Sequence, residues 1–145
     1  MGVLGTQLRR RTDWPERLAT VIESARQQTY VLGRHDCLRV ACAAVDALTG
    51  VDHWPKFVGY KTKRQALARI ARIAPSLGEA VTATLAVSPA PTFSAMRGDL
   101  LLFRDDQGED HLGVCVGRQV VLTAPEGTLL MGLDHPGLLC SWRIG

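Results

Sequence analysis

The sequence lacks the segments that would anchor a chain in a membrane or direct it across one. No apolar run approaches the roughly 18 residues that a membrane-spanning helix requires. Residues 1–12 contain no apolar stretch followed by a small-residue cleavage site. We therefore predict neither a membrane span nor a cleaved signal peptide.

Basic charge and aromatic residues are also sparse. The formal net charge is +3, aromatic residues make up 6% of the chain, and the densest basic cluster is the run Arg9, Arg10 and Arg11. A nucleic-acid surface normally has a basic stripe interleaved with aromatic side chains. We therefore expect no nucleic-acid partner, and we interpret residues 1–12 as a solvated arm.

The cysteines show no metal or disulfide pattern. None of the four belongs to a CxxC pair or has zinc-finger spacing. A disulfide framework is not expected in a chain of this length without a secretion signal. We predict no metal and no organic cofactor. Because free cysteine packs as a small hydrophobic residue, we expect three of the thiols in the core: Cys42, Cys115 and Cys140.

The chain does contain a pattern of helices followed by strands. Its 145 residues fit one domain, residues 1–145. Apolar residues at helical spacing predict helices at residues 14–28, from about Cys37 to Gly50, at 62–74 and at 78–86. Strands are predicted at residues 99–103, 112–117, 120–123 and around 140–144. The result is an α+β domain, with N-terminal helices packed on a C-terminal antiparallel sheet and a helical or irregular insert at residues 51–95.

Cys37 is the candidate nucleophile. It follows a glycine turn at Gly33 and opens a helix, where free backbone N–H groups and the helix dipole favour a negative charge. Asp36 is expected to cap this helix. Backbone N–H groups at the helix start, that of Leu38 among them, could support an oxyanion. The alternative is a structural thiol at a helix end.

His111 is the candidate base. It begins a predicted strand in which His111, Gly113 and Cys115 share one face. Glycine on that face leaves room for another element, and we expect the helix that carries Cys37 to pack there. The alternative is an exposed histidine at a strand end. The other histidines lie in a turn, where we expect the side chain to point to solvent, or in irregular segments: His35, His53 and His135.

Three segments resemble the motifs of NlpC-type cysteine peptidases, which have the papain-like fold. Residues 30–37 (YVLGRHDC) resemble their nucleophile motif, residues 97–103 (RGDLLLF) their Gly-Asp-Leu strand, and residues 111–117 (HLGVCVG) the His-x-Gly strand that supplies the base. The resemblance implies a papain-like domain with Cys37 as nucleophile and His111 as base. Tyr30 either points its hydroxyl into this site or packs as an aromatic residue at the helix end.

The sequence departs from the NlpC pattern at two places. Leu38 and Arg39 follow the Asp-Cys pair, where these enzymes usually have Ser-Gly. Thr123 occupies the third catalytic position, where they commonly have a histidine that orients the base. Because threonine can accept a hydrogen bond but orients an imidazole poorly, the alternative to an enzyme is an inert domain that keeps the fold.

Other segments resemble small proteins encoded in bacteriophage tail gene clusters. These are residues 33–37 (GRHDC), 59–62 (GYKT) and 142–144 (WRI). The resemblance implies synthesis in a host cytoplasm, a place at the tail tip of a phage virion, and other tail-tip proteins as partners. It also implies peptidoglycan stem peptides as substrate, cleaved at an amide bond during cell-wall penetration. In the alternative, the protein is a catalytically inert component of the tail tip.

Overall fold

The computed structural model describes residues 8–145, so residues 1–7 of the predicted arm lie outside the described residues. Within residues 8–145, four α-helices precede a five-stranded antiparallel sheet, and the predicted α+β class is confirmed. The helices are α1 (Trp14–Gln27), α2 (Cys37–Thr49), α3 (Lys63–Ala71) and α4 (Leu77–Leu85). The strands are β1 (Leu100–Arg104), β2 (Asp110–Cys115), β3 (Gln119–Ala124), β4 (Gly127–Gly132) and β5 (Leu138–Trp142). No helix in the described part of the chain has the length and apolar character needed to cross a membrane.

The sheet has the strand order β4-β3-β2-β1-β5. The ladder between β1 and β2 extends over five residue pairs. The ladder between β2 and β3 has only two, Val114 with Val121 and Cys115 with Val120. Strand β2 has therefore separated from β3 where it reaches Leu112.

Strand β4 is an element that the sequence pattern does not predict. It pairs with β3 along its whole length, from Gly127 opposite Ala124 to Gly132 opposite Gln119. Its residues are half-buried or exposed throughout, because β4 forms one edge of the sheet. An edge strand with no fully buried residue lacks the apolar alternation from which strands are predicted.

Helix α2 packs on one face of the sheet. Its buried residues Leu38, Ala41 and Val45 lie against Leu100 of β1 and Leu112 of β2. A smaller cluster covers the opposite face, with these buried members: Leu101, Cys115, Val120 and Leu138. The sheet therefore separates the main core under the helices from a second, smaller core.

The prediction that α2 packs over the face of His111 and Gly113 is wrong. Side chains alternate along a strand, so the packing of Leu112 under α2 turns both neighbours to the other side. Strand β3 fills the space beside the glycine, since a Cβ atom at Gly113 would lie 2.4 Å from Val120 Cγ1. The glycine accommodates a neighbouring strand, not the helix.

The four cysteines are free thiols. Cys42 and Cys115 are buried, as expected for core residues, whereas Cys140 on β5 is half-buried.

The buried carboxylate of Asp99 connects the two ends of the domain. The side chain is 1% exposed. Its Oδ1 accepts hydrogen bonds from Arg10 Nη2 at 3.1 Å and from the backbone N–H of Ile144 at 3.0 Å. Its Oδ2 accepts from Arg143 Nε at 3.0 Å and from the backbone N–H of Met96 at 2.9 Å. Residue 99 therefore joins the N-terminal segment and the C-terminus to the start of β1.

Replacing Asp99 by asparagine should destabilise the domain. Asp99→Asn leaves two arginines without their carboxylate, and we expect it to lower the free energy of unfolding by about 2–3 kcal/mol in chemical denaturation. Asp13→Asn is the matched control, because Asp13 pairs with Arg17 at an exposed site and should have little measurable effect. Equal stabilities for the two variants would contradict the assigned role of Asp99.

Candidate functional site

The turn before Cys37 is built around the carboxylate of Asp36, which is 2% exposed. Its Oδ1 accepts the backbone N–H of Arg39 at 2.9 Å and so caps α2, as predicted. Its Oδ2 accepts the backbone N–H of Gly33 at 2.8 Å and the hydroxyl of Tyr60 at 2.5 Å. One carboxylate therefore fixes the turn, the first turn of α2 and a residue of the 51–95 insert.

The insert takes part in the candidate site through Tyr60. The side chain is buried, at 3% exposure, and its pKa is raised, first by burial and then by its hydrogen bond to Asp36. Gly33 has φ +84°, and a Cβ atom there would lie 2.0 Å from the carbonyl oxygen of Tyr60. Only glycine fits this close approach of two backbones. The sequence analysis missed Tyr60, because its partner Asp36 lies 24 residues away.

His35 is part of the scaffold and does not face the solvent. It is 7% exposed, and its Nε2 lies 3.1 Å from the carbonyl oxygen of Ala25 in α1. The prediction that His35 points to solvent is therefore wrong. Its hydrogen bond attaches the turn to α1, which the short-range pattern around the turn does not reveal.

The Cys37 thiol lies against β2. The residue is half-buried, and burial raises the pKa of its thiol to about 11. The backbone N–H groups of Leu112, Leu38 and Cys37 itself act in the opposite direction and lower the pKa, whereas the negative charge of Asp36 raises it further. The site therefore has N–H groups that favour a sulfur anion, but with its pKa raised to about 11 this thiol is protonated at neutral pH.

The Leu112 donor is available because of the sheet geometry. N–H groups of successive residues in a strand point to opposite neighbours. The N–H of Cys115 donates to Asp99 on the β1 side, at 2.8 Å, so the N–H of Leu112 points to the β3 side. The ladder to β3 has ended before this residue, and its N–H is close enough to the Cys37 sulfur to lower the pKa of the thiol.

His111 lies directly before Leu112, and its ring is turned toward a loop carboxylate. Its Nε2 lies 2.8 Å from Asp105 Oδ2. The ring centroid is 6.1 Å from that of Phe103, its cross-strand partner on β1. In the described part of the chain, the hydrogen bond of the imidazole goes to Asp105 and not to the Cys37 sulfur. The structure thus brings the backbone of Leu112 close to the thiol, whereas the imidazole of the preceding residue is held by Asp105.

Two further predicted residues, Tyr30 and Leu38, lie close to Cys37. Burial raises the pKa of Tyr30 to about 12, and the charges of Cys37 and Asp36 contribute in the same direction. The Leu38 side chain, in the first turn of α2, is buried, and its backbone N–H lowers the pKa of the Cys37 thiol. The backbone of Leu38 thus acts on the Cys37 thiol, and its support of an oxyanion stays a prediction.

Thr123, the predicted third residue, lies on β3. It is 6% exposed and pairs with Thr128 of β4. Its Oγ1 has no hydrogen-bond partner among the described residues. The group that contacts the imidazole of His111 is Asp105, which sequence analysis missed. The sequence feature that could have indicated Asp105 is a carboxylate six residues before the histidine, on the other side of the hairpin loop.

A small cavity of about 30 Å³ lies between α2 and the sheet. Leu38 and Leu112 line it together with His53 and Thr84, whose Nε2 and Oγ1 atoms have no partner among the described residues. This volume holds about one water molecule. It is too small for a peptide residue, so a substrate would have to bind at the exposed side of Cys37.

One cluster has the composition of a cation site. Ligand atoms of Asp105, Glu109 and His111 lie within 4.8 Å of one another. Glu109, however, pairs with Lys63 Nζ at 2.6 Å, and the other two bond each other. A cation would have to displace the ammonium group and break that hydrogen bond. We interpret the cluster as an ion-paired network.

The chain belongs to the family described as Domain of unknown function (DUF6950), whose model matches residues 9–144. The match covers all the described helices and strands and every residue of the candidate site. No curated protein matches the chain.

The close approach at Gly33 can be tested with a pair of glycine variants. Gly33 and Gly108 both have positive φ, at +84° and +78°, but nothing lies within 4 Å of a Cβ at Gly108. We expect Gly108→Ala to lower the free energy of unfolding by about 1 kcal/mol, and Gly33→Ala by about 3 kcal/mol, because only the latter also displaces Tyr60. Denaturant titration of both variants measures the difference, and equal losses would refute the contact.

The buried thiol of Cys42 should make the domain sensitive to alkaline pH. Burial raises its pKa to about 12 in the folded protein, against about 8.5 in an unfolded chain. A raised folded pKa gives stability that is present below pH 8.5 and lost as the pH rises toward 12. Between pH 8.5 and 11, we expect the stability of the parent to fall more steeply than that of Cys42→Ala, by at most about 1.4 kcal/mol per pH unit. If the stabilities of the parent and of Cys42→Ala fell in parallel with rising pH, the raised pKa of Cys42 would be refuted.

Proposed function

We propose that this protein is a papain-like cysteine peptidase of the NlpC type that hydrolyses an amide bond in peptidoglycan stem peptides. The proposal places it at the tip of a bacteriophage tail, beside other tail-tip proteins, where cleavage would aid penetration of the cell wall. The observation that carries the enzymatic part is the position of the Cys37 sulfur. It lies at the start of a capped helix, where the backbone N–H of Leu112, the residue after His111, lowers the pKa of the thiol.

The chemistry follows from these groups. The imidazole of His111 takes the thiol proton, and the sulfur of Cys37 attacks the amide carbon. Backbone N–H groups at the start of α2, including that of Leu38, stabilise the oxyanion. The imidazolium then protonates the leaving amine, and water hydrolyses the thioester to release the acid and restore the thiol. This route uses no metal and no cofactor.

The substrate and the location are supported by sequence motifs. The nucleophile, Gly-Asp-Leu and His-x-Gly segments lie on the turn before α2, on β1 and on β2. The order of helices before an antiparallel sheet agrees with the proposed class. The segments at residues 59–62 and 142–144 support the phage tail, and Tyr60 in the first of them bonds the turn of the nucleophile.

A second candidate function, an inert tail-tip component, is favoured by one observation. Burial raises the pKa of the Cys37 thiol to about 11, and in the described part of the chain no hydrogen bond joins it to His111. A thiol in that state would not react at neutral pH. Under this alternative the site would only preserve the fold while the surface bound neighbouring tail proteins.

The reactivity of Cys37 toward iodoacetamide distinguishes the two functions. If His111 takes the proton, the alkylation rate should level off above an inflection below pH 8. In His111→Ala the thiol would keep its raised pKa, and the rate should climb about tenfold per pH unit toward 11. Mass spectrometry of the modified peptide assigns the label to Cys37. Identical rising profiles for the parent and His111→Ala would favour the inert component.

Hydrolysis of purified peptidoglycan tests the proposed substrate. We expect new amino groups and stem-peptide fragments from the parent, and a loss of at least about a thousandfold in Cys37→Ala. Cys140→Ala is the matched control, because it removes another half-buried thiol far along the chain and should retain activity. A Cys37→Ala protein that is as active as the parent would exclude this mechanism.

A further inference from the structure

The loop between β1 and β2 places a fixed carboxylate beside His111. Strand β1 ends at Arg104 and β2 begins at Asp110. The first loop residue, Asp105, brings its Oδ2 to within 2.8 Å of His111 Nε2. Neither side chain is fully exposed, at 25% for the aspartate and 28% for the histidine.

The carboxylate is held by its own loop. Asp105 Oδ1 accepts the backbone N–H groups of Gln107 at 2.8 Å and Glu109 at 2.9 Å. The backbone N–H of Asp105 donates to the carbonyl oxygen of Glu109 at 2.9 Å, which closes the loop. The hydrogen bond to His111 and these N–H groups lower the pKa of Asp105, so the group is anionic at neutral pH. Only Oδ2 is left to bond the imidazole.

This arrangement selects one form of the imidazole. A carboxylate accepts but does not donate, so Nε2 carries the proton and Nδ1 keeps its lone pair. Nδ1 is then the nitrogen able to accept a proton from a thiol. The same hydrogen bond fixes the orientation of the ring, because the Asp105 side chain cannot rotate without losing its two hydrogen bonds to backbone N–H groups.

We propose that Asp105 is the positioning residue for His111, in the role that the sequence pattern assigned to Thr123. This inference rests on the proposed function. Thr123 Oγ1 is buried without a partner among the described residues, and it lies on β3, which has separated from β2 at this level. The other titratable groups near the ring are these: Glu109 paired with Lys63, Asp110 paired with Arg104, and His135, which packs on the far side of Phe103.

The asparagine variant gives the sharpest test. In Asp105→Asn the amide oxygen is expected to remain on the two backbone N–H groups, which leaves the NH2 group facing His111 Nε2. That donor would make Nε2 an acceptor and move the proton to Nδ1. Ring nitrogen shifts of His111 in 15N NMR report this change directly, whether or not the protein hydrolyses a peptide. Asp106→Asn removes a charge from the same loop at an exposed residue and should leave the ring unchanged.

Alkylation of Cys37 at pH 7 is the second measurement. We expect Asp105→Asn to lower the rate at least about tenfold, and Thr123→Val and Asp106→Asn to leave it within about twofold. Asp105→Ala, which presents no donor to the ring, should lower the rate without forcing the proton to Nδ1. These outcomes support the proposal.

Unchanged ring shifts in Asp105→Asn would overturn the assignment of Asp105, and so would changed shifts with an unchanged rate. A large effect of Thr123→Val on the rate would return the role to Thr123. If Cys37 of the parent reacts no faster than Cys37 of His111→Ala, the proposed function is refuted. The alkylation rate of the parent therefore distinguishes failure of the proposed function from failure of the Asp105 assignment.

Discussion

The buried carboxylate of Asp36 is the interaction on which the candidate site depends. A buried carboxylate requires several hydrogen bonds, and it finds them in the turn at Gly33, at the start of α2 and in Tyr60 of the insert. The same negative charge lies next to Cys37 and raises the pKa of its thiol. The group that fixes the position of Cys37 thus also opposes the ionisation of its thiol, and a reactive thiolate would require other groups to offset that effect.

The sheet supplies part of that compensation. Because the β2–β3 ladder covers only Val114 and Cys115, it does not include Leu112, and the N–H of Leu112 lowers the pKa of the Cys37 thiol. The start of α2 and the end of this ladder meet at Leu112, which lines the same small cavity as Leu38.

Much of this fold follows from local sequence patterns. The Gly33 turn, the Asp-Cys cap and the apolar stripe predict α2, and its observed range, Cys37–Thr49, agrees. Strand β4 was not predictable from alternation, because its edge position leaves no residue fully buried. Tyr60 and Asp105 escaped prediction for another reason. Their roles come from partners brought close by the tertiary fold, and a tyrosine in an insert or an aspartate in a polar loop has no distinguishing local pattern.

Whether the site is catalytic depends on a balance at one sulfur atom. Burial and the charge of Asp36 favour the thiol, and three backbone N–H groups favour the thiolate. None of these can be altered without disturbing the fold, because each belongs to the turn, the helix or the sheet. Under the proposed function, the imidazole of His111 takes up the thiol proton. Its tautomer is set by Asp105 in a surface loop, which can vary without cost to the core. The loop between β1 and β2 is therefore where an active and an inert form of this domain would differ most easily.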